Sequence, residues 1–206
     1  MIEYVVSGNI DDRILARAAL LLDGGGIVAL PTDTSWSIVC SIHSREGVKK
    51  LRRFSGEREE ERFTLLCSDI SQFGELCSLD NTRFRLIKRL TPGPYVFVLK
   101  TLLGTEKSLG LRRREIGVRL PNHPVPIALI KALGNPLYSI TAKKNMEDSE
   151  YAEEDLFEGG WELEDLSGLD LILDPGEERP RILSTVLDLK ESEITLVRQG
   201  LGAWPV

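Results

Sequence analysis

Short apolar segments alternate along the chain with stretches whose apolar residues recur at helical spacing. Segments rich in β-branched and aromatic residues predict strands. These segments lie at residues 2–6, 27–30, 36–42, 63–67, 95–100, 116–120, 138–142, 169–173, 184–189 and 194–198. Apolar residues spaced three and four apart predict helices at residues 11–22, 44–54, 82–90 and 124–133. The alternation predicts one α/β (α+β) domain with a twisted, mixed open sheet and helices packed on it.

Polar segments separate these elements and predict turns and caps. The residues after Pro31, Thr32 to Ser35, interrupt two apolar strands, and Ser44 and Asp80 are suited to begin helices. Residues 55–62 contain no apolar residue and predict a charged loop. Residues 143–168 are acidic and also predict a loop.

The overall charge limits how the protein can meet nucleic acid. At 206 residues with a net charge of −6, the chain is not expected to coat nucleic acid through its overall field. Two basic runs predict local contacts with RNA phosphates, or alternatively solvated surface. Their residues are Lys49, Lys50, Arg52 and Arg53 in the first run and Arg112, Arg113 and Arg114 in the second.

Neither targeting nor metal-binding patterns are visible in the sequence. The apolar run at residues 18–30 is broken by Asp23 and three glycines, which predicts neither a signal peptide nor a membrane span. The cysteines Cys40, Cys67 and Cys77 are far apart, so no disulfide framework or zinc site is expected. A reducing cytoplasm fits this pattern best.

Six separated signatures together resemble the YrdC/YciO family. They are GGIVALPTDT at 25–34, TPGPYVF at 91–97, GVRLPNHP at 117–124, PLYSITA at 136–142, STVLD at 184–188 and VRQG at 197–200. Their order and spacing also agree with the family. The strand at 63–67 and the helix start at 80–88 are more similar to the YciO branch. The resemblance implies a YrdC-like fold, a mostly open sheet with a large concave pocket.

The same resemblance implies a function, because the family includes the threonylcarbamoyl-AMP synthases. These enzymes join threonine, bicarbonate and ATP, and their product modifies adenosine 37 of tRNA. The residues implied for the threonyl moiety are Thr32, Thr34, Trp36 and Arg119. The residues implied for the nucleotide and its phosphate are Ser139, Thr141, Lys143, Ser184 and Arg198.

Each implied residue also has a purely structural alternative. The two threonines can cap a turn, and Trp36 can be a core aromatic. Arg119 lies in an otherwise apolar strand, so it needs a partner, and a ligand carboxylate or a buried acid would serve equally. Ser139 and Thr141 point to one face of a strand and can form an ordinary polar surface.

The sequence departs from the synthases where they hold the triphosphate. Lys143 stands at the family's asparagine, and an ungapped alignment puts Ser55, Glu57 and Glu61 where three cations are expected. Carboxylates beside a triphosphate repel it, which predicts loss of ATP-dependent synthesis. A shift of register would instead bring arginines into these places, namely Arg52, Arg53, Arg58 or Arg62.

These features predict a nucleotide- and RNA-binding protein linked to threonylcarbamoyladenosine in tRNA or to its removal. If it is an enzyme, it is a synthase-like nucleotidyltransferase or a hydrolase acting on threonylcarbamoyl-tRNA. The alternatives are an active synthase, a non-catalytic module for double-stranded RNA or tRNA, and a small-molecule-binding scaffold. Threonine and ATP or AMP are candidate ligands. No tightly bound cofactor is expected beyond Mg²⁺ that accompanies a nucleotide.

Overall fold

The computed structural model describes residues 1–55, 63–105, 114–145 and 152–204, and within them ten strands form one mixed sheet. The strands are β1 (Ile2–Tyr4), β2 (Val28–Pro31), β3 (Trp36–Ser41), β4 (Thr64–Leu66), β5 (Tyr95–Lys100), β6 (Glu115–Arg119), β7 (Leu137–Thr141), β8 (Leu171–Asp174), β9 (Thr185–Asp188) and β10 (Thr195–Arg198). Their order across the sheet is β1-β8-β2-β3-β7-β4-β6-β5-β9-β10. Parallel and antiparallel pairs alternate irregularly, as the sequence predicts for a mixed sheet.

Five α-helices connect these strands in the described residues. They are α1 (Asp12–Asp23), α2 (Arg45–Ser55), α3 (Ser71–Leu76), α4 (Asn81–Leu90) and α5 (Pro124–Leu133). Side-chain caps fix the starts of several of them. The amide of Gly47 donates to Ser44 Oγ at 3.1 Å, and that of Arg83 donates to Asp80 Oδ1 at 2.7 Å. Gly134, with φ of 79°, ends α5 in the left-handed conformation.

Helices pack on both faces of the sheet. On one face, here called the back face, α2, α3 and α4 bury Leu51, Phe73 and Ile87 against strand residues such as Tyr138. On the opposite front face, α1 and α5 pack over β2, β3, β7 and β8. Because strand side chains alternate between the two faces, each strand contributes to both cores.

The described helices cover the front face over only part of its width. The apolar core under α1 and α5 includes Leu66 and Leu137 but, among the described residues, no residue of β5, β6, β9 or β10. The front-face positions beyond this core are here called the open strip. From the strand registers and the alternation of side chains, they are Thr141, Ser139, Thr64, Gly117, Arg119, Val96, Val98, Val186 and Arg198. Several are only half-buried, including Thr64, Gly117 and Val98, so this part of the sheet remains accessible.

The predicted single α/β domain with a mixed sheet is confirmed, and the concave pocket stays a prediction. The sequence missed α3, a six-residue helix interrupted by Gly74. It also missed the 3₁₀ helices Glu153–Asp155 and Gly160–Asp165 in the segment predicted as a loop. Such short elements lack the repeated apolar spacing that identifies a longer helix. No helix of the described residues is long and apolar enough to cross a membrane.

Candidate functional site

Hydrogen bonds to its own threonine hydroxyl groups hold the turn after β2. The turn also contains one acidic residue. Thr32 Oγ1 donates to the carbonyl of Ser35 at 2.7 Å and lies 3.1 Å from Thr34 Oγ1. The amide of Thr34 donates back to Thr32 Oγ1 at 3.2 Å. Both threonines are fully buried, whereas Asp33 between them is partly exposed. The turn role foreseen for the two threonines is therefore present in the structure.

Asp33 pairs with Arg119, the last residue of β6. Arg119 Nη2 lies 2.6 Å from Asp33 Oδ1, and the two side chains are only 6% and 13% exposed. Burial lowers the pKa of the Arg119 guanidinium, and Asp33 opposes this effect. Arg119 Nε and Asp33 Oδ2 are buried and have no hydrogen-bond partner among the described residues. Of the two partners foreseen for Arg119, the structure supplies the buried acid and leaves donor capacity for a ligand.

Hydroxyl groups and a glycine lie beside this pair on the open strip. Ser139 stands opposite Thr64, which in turn stands opposite Gly117, and Ser139 Oγ donates to the carbonyl of Thr64 at 2.9 Å. Arg119 follows Gly117 by two positions, so Arg119 and Ser139 share the front face. A β-carbon at Gly117 would lie 3.0 Å from Val96 Cγ1, so a larger residue would not fit without a shift.

Ser184 and Arg198 meet at the far edge of the strip. Arg198 Nη2 donates to the carbonyl of Ser184 at 2.9 Å and lies 3.4 Å from its hydroxyl. The positive charge of Arg198 also lowers the pKa of Arg119, which brings the two guanidinium groups into one electrostatic environment. The structure therefore places Arg119, Ser139, Ser184 and Arg198 on one face of the sheet, although 79 residues separate the first from the last.

Residues that sequence reasoning did not assign border the same site. His123 caps α5 by accepting from the amide of Val125 at 3.3 Å. Burial, together with the charge of Arg179, lowers the pKa of His123 to about 4. The negative charges of Glu177 and Asp33 raise the pKa of the same imidazole and so oppose this effect. The loop from β8 to β9 thus contributes charges that act on His123, which the sequence alone does not reveal.

Trp36 does not lie on the open strip. It is fully buried in the back-face core, and its indole Nε1 donates to the carbonyl of Glu158 at 3.2 Å. Trp36 begins β3, and its neighbour Ser37 stands opposite Thr141 on the front face, so alternation directs Trp36 away from that face. The core role foreseen as an alternative is the one that the structure shows.

Lys143 lies two residues beyond Thr141 and is 5% exposed. It forms an isolated antiparallel bridge with Leu156, and the next amide, that of Lys144, donates to the carbonyl of Asp155 at 2.8 Å. Its position therefore ties the end of β7 to the 3₁₀ helix Glu153–Asp155. A contact with phosphate stays a prediction.

The structure places one of the two basic runs and one residue of the other. Lys49, Lys50, Arg52 and Arg53 belong to α2, which packs on the back face, and Lys50 lies 3.5 Å from Asp170. Arg114 precedes β6, about 17 Å from Arg119 at the usual rise per residue. Arg112 and Arg113 lie outside the described residues, so a basic rim that both runs share stays a prediction.

Several predicted residues cannot be placed in this site. Ser55 ends α2. Glu57, Arg58, Glu61, Arg62, Arg112 and Arg113 lie outside the described residues. The alignment of the charged loop therefore stays a prediction, together with the loss of ATP binding that was inferred from it.

Comparisons with known proteins bear on this site. A family model for Sua5, YciO and YrdC proteins, described as "Telomere recombination", matches residues 20–200. The Escherichia coli uncharacterized protein YciO is 33% identical over 202 residues, covering 97% of this chain and 95% of that protein. The chain belongs to the Sua5/YciO/YrdC family. The crystal structure of Escherichia coli YciO agrees with the fold at a TM-score of 0.83, covering 98% of this chain and 97% of that one.

Members of this family with a named activity are more distant and longer. The mouse threonylcarbamoyl-AMP synthase is 28% identical over 193 residues, covering 90% of this chain and 66% of the enzyme. A crystal structure of P. abyssi Sua5 complexed with L-threonine gives a TM-score of 0.81 at 25% identity. It covers 97% of this chain, but this chain covers only 57% of Sua5. The family relation to threonylcarbamoyl-AMP synthases is therefore shown, whereas the activity of the longer proteins is not transferred by it.

Proposed function

We propose that the protein binds a threonylcarbamoyl-adenosine group carried by RNA on the open strip, and that it does not make this group from ATP. The Arg119–Asp33 pair carries the proposal. It offers an unpartnered donor, Arg119 Nε, and an unpartnered acceptor, Asp33 Oδ2. A threonylcarbamoyl group has carboxylate oxygens that accept and N–H and hydroxyl groups that donate, so it complements both atoms.

The remaining strip offers hydrogen-bonding groups for the nucleoside. Ser139 and Thr141 lie on β7, and Ser184 and Arg198 lie at the opposite end of the strip. From β7 to β9 the sheet extends about 19 Å at the usual strand spacing, which is long enough for a nucleoside with its attached amino acid. The Sua5 complex with L-threonine supports an amino-acid ligand in this fold.

The absence of ATP-dependent synthesis rests on charge in the loop after α2. With Ser55, Glu57 and Glu61 aligned to the cations of the synthases, a triphosphate would meet repulsion. The combined substitutions Ser55→Lys, Glu57→Arg and Glu61→Lys should then strengthen ATP binding by about tenfold or more. A triple variant with unchanged affinity for ATP would show that this alignment of the loop is wrong.

No resident cofactor is part of the proposal. Among the described residues no group of three or more His, Cys, Asp or Glu could hold a metal ion, and Asp33 is already paired with Arg119. We expect Mg²⁺ to enter only with a nucleotide. The partner RNA is tRNA or double-stranded RNA in a reducing cytoplasm, in agreement with three buried free thiols.

An active synthase is the second candidate function. The similarity to the mouse synthase and to Sua5 favours it. The two candidates differ in one assay, because a synthase makes threonylcarbamoyl-AMP from ATP, bicarbonate and threonine. The proposal expects no product above the background without protein.

Calorimetric titration with the nucleoside threonylcarbamoyladenosine tests the proposal. We expect it to bind at least about tenfold more tightly than adenosine, because each charge-assisted hydrogen bond contributes about 1.5–3 kcal/mol. Arg119→Gln should abolish this preference. Lys88→Gln, on the exposed side of α4, is the matched control and should retain it. Equal affinity of the wild-type protein for both nucleosides would contradict the proposal.

A further inference from the structure

The helix α4 carries a strong excess of positive charge in a chain whose net charge is −6. Its ten residues include no acid and four basic side chains, those of Arg83, Arg85, Lys88 and Arg89. The last three are exposed, and within the described parts of the chain none of them forms an ion pair. Phe84 beside them is an aromatic residue that is 39% exposed.

These exposed side chains share one side of α4. At 3.6 residues per turn, Phe84, Lys88, Arg85 and Arg89 follow one another around the helix within an arc of about 140°. This surface is here called the basic face. Ile87 lies on the other side of the helix and is fully buried in the back-face core. Because the apolar side of α4 is used by the core, the helix cannot insert that side into a lipid surface.

Arg83 anchors the start of α4 to the sheet. Its Nε donates to the carbonyl of Leu189 at 2.6 Å, and its Nη2 donates to the carbonyl of Glu191 at 2.6 Å. Both carbonyls lie in the turn between β9 and β10, so α4 begins at the edge of the sheet where the open strip also ends. Asp80, the acid that caps α4, is paired with Arg83 and not with the basic face.

The charges of the basic face oppose the formation of the helix that carries them. Lys88 and Arg89 follow Arg85 at spacings of three and four, which places like charges beside one another and destabilises a helix. Lys88 and Arg89 lie in the last turn, where the helix dipole favours cations. Arg85 lies in the middle of the helix and gains nothing from the dipole. A polyanionic partner would replace this repulsion by attraction.

We propose that the basic face of α4 binds a single strand of RNA, with its phosphates on Arg85, Lys88 and Arg89 and one base stacked on Phe84. Cations next to an exposed aromatic ring suit a single strand, because the cations hold the backbone and the ring stacks on any base. An acidic peptide would use the cations but not the ring. The inference rests on the proposed function for the choice of RNA, and it adds a contact surface outside the open strip.

Fluorescence anisotropy with a labelled oligouridine tests the three cations. The triple variant Arg85→Gln, Lys88→Gln and Arg89→Gln is expected to bind about tenfold or more weakly than wild type at low salt. The slope of log affinity against log salt should also fall by about two, since each cation on a single strand contributes about 0.7. An unchanged affinity would overturn the inference.

A matched control removes three exposed cations from the front-face helices α1 and α5. It combines Arg13→Gln, Arg17→Gln and Lys131→Gln, which change the net charge by the same amount. We expect this control to bind oligouridine within about threefold of wild type, because phosphate contacts are local. Equal losses in the two triple variants would show that overall charge, and not the basic face, attracts RNA.

A substitution of the ring separates RNA from an acidic protein partner. Phe84→Leu keeps an apolar side chain of similar size but cannot stack on a base. We expect it to bind oligouridine about fivefold or more weakly and to bind polyglutamate, which has no bases, as wild type does. If Phe84→Leu binds oligouridine as tightly as wild type does, or loses affinity for both polymers equally, the stacking assignment is wrong and RNA is not the partner.

The outcomes also separate the basic face from the proposed function. The nucleoside threonylcarbamoyladenosine carries no phosphate, so the triple variant of α4 should bind it as wild type does. If wild type prefers this nucleoside to adenosine and its binding of oligouridine does not depend on α4, the proposed function stands and the basic face fails. If oligouridine needs α4 but the nucleoside is not preferred, the basic face stands and the proposed function fails. If wild type does not bind oligouridine at low salt, the inference is overturned.

Discussion

At the scale of single residues, the Arg119–Asp33 pair combines two roles. A buried guanidinium is costly without a partner, and Asp33 provides one through a single hydrogen bond at 2.6 Å. The pair is thus needed for folding and keeps donor and acceptor capacity for a ligand. If hydrogen bonds within the protein used every donor and acceptor of the pair, none would remain to bind a ligand.

Removing either residue of this pair should lower the free energy of unfolding, and removing both should cost less than the sum of the two losses. Asp33→Asn or Arg119→Met alone is expected to lower the free energy of unfolding by about 3–5 kcal/mol, because each leaves one buried group uncompensated. The double variant should lose about 1–3 kcal/mol less than the sum of the two. Urea denaturation measures all three, and strictly additive losses would show that the two residues do not interact.

His123 should make stability depend on pH. Its folded pKa of about 4 lies below the ordinary 6.5, so between these values the unfolded chain binds a proton that the folded chain excludes. The free energy of unfolding therefore falls as the pH drops from 6.5 to 4, by at most about 3 kcal/mol. His123→Asn keeps a capping side chain without this titration.

Urea unfolding at pH 7, 5.5 and 4.5 checks the expectation for His123. The stability of wild type should decrease more than that of His123→Asn across the window, since all other titrating groups are common to both. Parallel decreases in the two proteins would contradict the low pKa of His123.

Sequence reasoning at the residue scale succeeded where local pattern decides and failed where the fold decides. Thr32 was recognised as a residue that can cap a turn, and Arg119 as a polar residue in an apolar strand that needs a partner. The local sequence is enough for both. Asp33 as the partner of Arg119 depends on a contact across 86 residues. Trp36 was assigned to a ligand because family position does not tell which face of the sheet a residue occupies.

At the scale of elements, helix ends show why boundaries were predictable. Asp80, Ser44 and Gly134 each carry a local signal for a cap or a stop, and the observed helices end within one or two residues of the predicted positions. The helix α3 carries no such repeated signal and was missed. Its short length gives it about one and a half turns, too few for a period to appear.

Alanine substitutions at Gly134, which ends α5, and at Gly74, within α3, should change the stability of the protein in opposite directions. Gly134 has a φ of 79°, so Gly134→Ala is expected to destabilise the protein by about 1 kcal/mol. Gly74 is exposed within α3, and a β-carbon there would meet nothing within 4 Å. Gly74→Ala should therefore stabilise by about 0.5–1 kcal/mol. Thermal unfolding of both variants checks the signs, and a shift in the same direction would contradict one of the two backbone assignments.

At the scale of the whole molecule, the sheet separates the surfaces that we propose to contact RNA. The open strip lies on the front face, whereas the basic residues of α2 lie with that helix on the back face. With a net charge of −6, the protein cannot rely on its overall field to attract RNA. Recognition of the modified base and contact with phosphates are therefore expected to be separable.

The basic residues of α2 should contribute equally to the binding of modified and unmodified RNA. Lys49 and Arg53 are exposed, so the double substitution Lys49→Ala and Arg53→Ala is expected to weaken binding of modified and unmodified RNA by the same factor. The slope of affinity against salt should fall by about one for each residue removed. Filter binding at several salt concentrations measures both, and an effect confined to modified RNA would contradict the separation.

The central claim is that the open strip recognises the threonylcarbamoyl group on RNA. Its most direct test is the affinity of the wild-type protein for a tRNA anticodon stem-loop with and without threonylcarbamoyl on adenosine 37, measured at one salt concentration. We expect the modified stem-loop to bind at least about tenfold more tightly, since only it can satisfy the buried groups of Arg119 and Asp33. Equal affinities for the two stem-loops would contradict the claim.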